Sequence, residues 1–107
     1  MKKHYNASGL VYGELWGGGE GAYPSRKYSS PSKKELLRIL KTAVADGSAD
    51  SGMGYKNLIG GFFTLETVST IKVKDKEYSR EDYEEVFVGK LTEGQRNFLE
   101  LTSDNME

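Results

Sequence analysis

The chain has 107 residues, of which 36% are hydrophobic and 29% charged, with a formal net charge of -1. That size fits one domain, residues 1–107, with a modest core resting on one sheet and one or two helices. Cysteine is absent, which excludes a disulfide scaffold or a thiolate zinc site and points to the cytoplasm. No apolar run nears the roughly 18 residues of a membrane helix. The start, MKKHYNASG, has positive charge without an apolar segment behind it and does not read as a signal peptide. Mean hydropathy is low at -0.61, but seven Tyr, four Phe and one Trp carry enough apolar area to argue against disorder.

Residues 4–16, HYNASGLVYGELW, hold strand formers, with Leu10, Tyr12 and Trp16 on one face. Gly9 and Gly13 inside the strand signal a bulge or a close backbone approach. The run Gly17-Gly18-Gly19-Glu20-Gly21 turns the chain. Residues 22–29 return as a partner strand, placed at an edge because Pro24 cannot donate to a ladder.

Ser32-Lys33-Lys34-Glu35 has the spacing of a capping box and opens a helix over 33–46. Leu36, Leu37, Leu40, Ala43 and Val44 form its apolar stripe, and Gly47 suits the left-handed position that ends it. Residues 48–57 read as loop, with Met53 and Tyr55 either adaptable contacts or plain connector. From Phe62 to Asp75 the chain alternates. Phe63, Leu65, Thr67, Ser69, Ile71 and Val73 share one face, and Thr64, Glu66, Thr70, Lys72 and Lys74 the other. A tight turn at Asp75-Lys76, a short return over 77–79 and a strand over 84–91 follow. Thr92-x-x-Gln95 is a second capping box, opening a helix with Phe98, Leu99 and Leu101, and the tail SDNME is expected to fray. The order ββαβ(β)βα implies an α+β fold. Its antiparallel sheet has four to five strands, one face meeting a long and a short helix and the other partly wet.

The glycine run matches a loose G-x-G-x-x-A spacing after a strand. A phosphate loop needs a helix starting at its last glycine, whereas Tyr23-Pro24-Ser25 follows here and no Gly-Lys-Ser/Thr is present. A hairpin tip is the expected role. Catalysis is not expected either. His4 is the lone histidine and lies near the terminus, and nothing in the sequence sets the spacing of carboxylates such as Glu14 and Glu20. No metal motif and no cofactor signature appears; the EF-hand spacing is absent.

Charge is the remaining lead. Residues 1–45 carry eight basic against three acidic residues, a net +5, and residues 46–107 seven against thirteen, a net -6. Such a split either gives a dipolar surface or cancels if the halves interleave. Two clusters are candidate contacts. Glu81, Asp82, Glu84 and Glu85 form an acidic segment suited to a basic groove on a partner. Trp16, Tyr23, Arg26 and Lys27 interleave aromatic and basic residues, as single-strand binders do.

In overall character the chain resembles the small phage and mobile-element inhibitors of host defence, anti-CRISPR proteins especially: one compact domain, no cysteine, no catalytic set, and charged, tyrosine-rich surfaces. That resemblance implies stoichiometric binding to a larger nucleic-acid-handling effector, such as a CRISPR nuclease, with no membrane involved. The alternatives are a single-stranded nucleic-acid-binding module, against which the net charge counts, and a nucleotide-sequestering domain using the glycine turn. The sequence leaves oligomeric state open.

Overall fold

The structure, a computed structural model, describes residues 2–52 and 55–105. Five strands and two helices follow one another as β1 (Lys2–Leu15), β2 (Glu20–Pro24), β3 (Tyr28–Ser30), α1 (Lys33–Ala45), β4 (Tyr55–Val73), β5 (Lys76–Gly89) and α2 (Glu93–Asn105). All pairings are antiparallel, which makes this the expected α+β fold, in the order β2-β1-β4-β5. The short β3 is an addition. It pairs with β1 at Tyr5–Ala7, further along the edge where β2 pairs at Leu10–Glu14. Pro24 closes the edge strand β2, where its missing N–H costs no ladder bond.

Both capping sites act, in different ways. The Ser32 hydroxyl accepts the Glu35 N–H at 3.3 Å. The Glu35 carboxylate turns to Arg38 instead of reaching back, and the Ser32 N–H is taken by the Ser30 hydroxyl. At α2 the box is reciprocal: Thr92 N–H donates to Gln95 Oε1 at 2.9 Å, and Gln95 N–H to Thr92 Oγ1 at 3.2 Å. Gly47 takes the left-handed conformation after α1, with φ +80°.

The helices lie on opposite faces of the sheet, not on one. Leu36, Leu40, Ala43 and Val44 of α1 pack with Ala7, Val11, Phe63, Leu65 and Val88. Leu99 of α2, with Leu91 before it, packs with Leu10, Tyr12 and Phe62. The physical reason is in the strands. Adjacent residues point to opposite faces, and Leu10-Val11, Phe62-Phe63 and Phe87-Val88 each place one apolar side chain on either side, so both faces need cover. Gly9 allows the close approach of β1 to β4: a Cβ there would lie 2.0 Å from the Phe62 carbonyl oxygen. The β1–β4 ladder shifts register between Tyr12 and Gly13, the irregularity that the strand glycines announced.

Two other boundaries differ from expectation. β4 already begins at Tyr55, within the segment read as loop; Met53 and the terminal Met106 and Glu107 lie outside the described residues. The turn falls at Lys74-Asp75, both left-handed (φ 48° and 69°), one residue earlier than expected. From that turn β5 runs unbroken from Lys76 to Gly89, paired with β4 throughout. Thus residues 80–83, unassigned between the two expected pieces, are strand as well. Beyond Thr70, the partner of Lys2, β4 and β5 pair only with each other among the described residues. The molecule is elongated, 58 × 27 × 22 Å.

Candidate functional site: the acidic edge strand and its open face

β5 is an edge of the sheet. Every residue from Lys76 to Glu85 is exposed, because neither helix extends over this part of the sheet and alternation gives it no apolar face. The four acidic candidates therefore share a strand but not a face. Glu81 and Glu85 point to the α2 side, Asp82 and Glu84 to the α1 side. Two are engaged within the chain. Glu84 Oε2 accepts from Lys33 Nζ at 2.6 Å, tying β5 to the start of α1, and Asp82 accepts from Arg80 at 3.3 Å. Glu81 and Glu85 form no ion pair among the described residues and are the carboxylates freest to meet a partner.

On the α2 side, the part of the sheet that α2 leaves uncovered is polar. Asn6, Glu66 and Tyr83 face one another across β1, β4 and β5. Asn6 Nδ2 donates to Glu66 Oε1 at 2.9 Å, and the Tyr83 hydroxyl to Glu66 Oε2 at 3.1 Å. That bond to a carboxylate holds the Tyr83 phenol above its ordinary pKa. Ser8, Thr64 and Lys27 join these residues around an open depression of about 380 Å³. Sequence reading missed Asn6, Glu66 and Tyr83; the register that aligns them was the only signal.

The aromatic and basic candidates do not form one surface. Trp16 is 72% exposed just before the glycine turn, off the face that buries Leu10 and Tyr12, since β1 ends at Leu15. Tyr23 packs edge-on against Tyr55. Arg26 Nε donates to the Asp50 carbonyl at 3.0 Å. Lys27 opens onto the depression near Ala7, about 25 Å along β1 from Trp16 at the strand's rise per residue.

The glycine run is a hairpin tip. Gly18 N–H donates to the Leu15 carbonyl, Leu15 N–H to the Gly19 carbonyl, and Gly18 and Gly19 have φ +97° and +76°. Strand β2 follows, so no helix N-terminus faces the turn. Nearby, Tyr12 donates to Glu20 at 2.7 Å, which raises the phenol pKa. The Tyr55 hydroxyl bonds the Val11 and Gly21 carbonyls at 3.0 and 3.2 Å, and burial, with Asp50 nearby, pushes its pKa well up.

The basic and acidic halves of the sequence interleave, since β1 of the first pairs along its length with β4 of the second. Along the hairpin Lys72, Lys74 and Lys76 lie near the tip with Asp75 and Glu77 among them, and Glu81, Asp82, Glu84 and Glu85 lie behind. Among the described residues no three His, Cys, Asp or Glu side chains cluster as a metal site would require, and no helix is long and apolar enough to cross a membrane. No family model, curated protein or solved structure matches the chain.

Proposed function

We propose that this chain is a non-enzymatic binding protein that inhibits a larger nucleic-acid-handling defence effector by stoichiometric contact, in the manner of anti-CRISPR proteins. The observation that carries the reading is β5: an edge strand with five exposed carboxylates, Glu77, Glu81, Asp82, Glu84 and Glu85. Carboxylates spaced along an extended strand complement a basic groove that otherwise holds a phosphate backbone, and they steer association at low salt. Within this surface Glu81 and Glu85 contribute most, because Glu84 and Asp82 are already paired. On the α2 side they flank Tyr83, which is 66% exposed and offers the aromatic anchor that such contacts use.

The test is inhibition of a guide-loaded CRISPR nuclease by the purified chain, titrated to equivalence. The expected result is loss of DNA cleavage at about one inhibitor per effector, relieved by rising salt. Full cleavage across a panel of such effectors, with no co-elution, would remove this reading.

A further inference from the structure

Beyond that binding role, the free edge of β5 has a self-complementary charge order. The β4–β5 ladder shows no register shift, and β5 contains no proline, so none of the usual backbone devices blunts this 14-residue edge. Its backbone groups divide by parity. A two-residue turn makes Val73 and Lys76 the closing hydrogen-bonded pair, so even-numbered residues of β5 direct their N–H and C=O groups to β4. The odd-numbered residues 77–87 direct theirs outward. Along the same strand, Lys76 and Arg80, with Glu77 between them, precede Glu81, Asp82, Glu84 and Glu85. A strand with its basic residues at one end and most of its carboxylates at the other favours an antiparallel copy over a parallel one.

We infer that two copies of this chain pair antiparallel through the outer edges of β5, about a two-fold axis at Arg80. This register sets Lys76 opposite the partner's Glu84, an opposite-charge pair, and Tyr78 opposite the partner's Asp82, a phenol–carboxylate pair, and each occurs twice; Glu77 lies opposite the partner's Tyr83, whose hydroxyl is already given to Glu66. Glu84 has an oxygen for the contact, because Lys33 uses only Oε2. The two Arg80 side chains meet at the axis, each held by its own Asp82. Moving the axis to Glu81 would instead set Glu77 against the partner's Glu85, and moving it to Asp82 would oppose two carboxylates at the centre. A two-fold axis perpendicular to the sheet keeps like faces together. Val86 and Val88, where α1 packs on β5, lie outside the paired segment 76–84, so the helices sit at the two ends of the joint sheet. The pairing leaves Glu81 and Glu85 on the sheet face, where the proposed effector contact needs them.

Sedimentation of the purified chain from about 1 to about 100 μM tests this without any effector, so its outcome is separate from that of the inhibition assay. Wild type is expected to dimerise with rising concentration. Ser79→Pro removes an outward N–H while leaving the β4 ladder intact, and Lys76→Glu opposes two carboxylates at each of two sites. Either change is expected to weaken the dimer about tenfold or more, and Lys76→Glu with Glu84→Lys to restore it. Circular dichroism identifies any variant that fails to fold; Lys76, exposed beside the turn, leaves a test if Ser79→Pro does not fold. A monomer throughout, a dimer indifferent to both single changes in folded protein, or a charge swap that restores nothing would overturn the inference.

Discussion

Leu99→Ala probes the arrangement of helices on opposite sheet faces. Leu99 is fully buried and is the residue by which α2 enters the second core cluster, against Leu10, Tyr12 and Phe62. Its neighbours Phe98 and Leu101 are 47% and 64% exposed, so little else in the helix can fill the space left by truncation. A fully buried Leu→Ala change costs about 3 kcal/mol, from lost transfer energy plus the residual cavity. In a domain of this size that corresponds to a fall in Tm of roughly 12–20 °C. Leu101→Ala, two positions on, should stay within about 0.5 kcal/mol. Urea unfolding followed by circular dichroism measures both. A Leu99→Ala cost below about 1 kcal/mol, or equal costs for the two variants, would refute the packing of α2 on this face.

Two further predictions concern tyrosines. The Tyr28 hydroxyl is buried with no hydrogen-bond partner among the described residues, and burial is the main cause of its raised pKa. Tyr28→Phe should therefore stabilise the fold by about 1 kcal/mol, since it removes an uncompensated polar group; a destabilised variant in the same urea assay would contradict the unpaired hydroxyl. Tyr55 has its phenol pKa raised by burial, and Tyr12 and Tyr83 shift the same way. Below about pH 10, where an unfolded tyrosine ionises, their contribution is complete. As pH rises further the unfolded state releases protons that the folded state keeps, so stability falls. Urea midpoints between about pH 8 and pH 11 should decline above about pH 10, less steeply in Tyr55→Phe; an unchanged slope in that variant would exclude Tyr55 as a source.

How far the sequence disclosed this fold depends on which signals are local. Both helix starts were legible because caps act over three residues, and the structure uses Ser32, Thr92 and Gln95 for that purpose. The glycine hairpin was legible because a phosphate loop needs a following helix and none was written there. The placement of the helices was not read, although Phe62-Phe63 and Leu10-Val11 carried the clue: consecutive buried residues in a strand mean two covered faces. β5 was only half visible, since REDYEE has no apolar alternation to mark it as strand; its partner β4 makes it one. The site suffered for the same reason. A cluster of acids in sequence becomes two pairs on opposite faces once it is extended, and the Asn6–Glu66–Tyr83 row exists only through a register joining three strands.

The contact assigned to β5 is tested most directly by reversing Glu81 and Glu85, which share a face with Tyr83 and form no ion pair among the described residues. Glu81→Lys with Glu85→Lys alters exposed positions on the edge strand and should leave the unfolding midpoint nearly unchanged. Binding to an effector that the wild-type chain inhibits would be measured by co-elution and titration at low and moderate salt. The account predicts an affinity loss of about a hundredfold or more at low salt, with the salt dependence flattened. Wild-type affinity and salt dependence in the folded double variant would contradict the claim that the acidic strand is the contact.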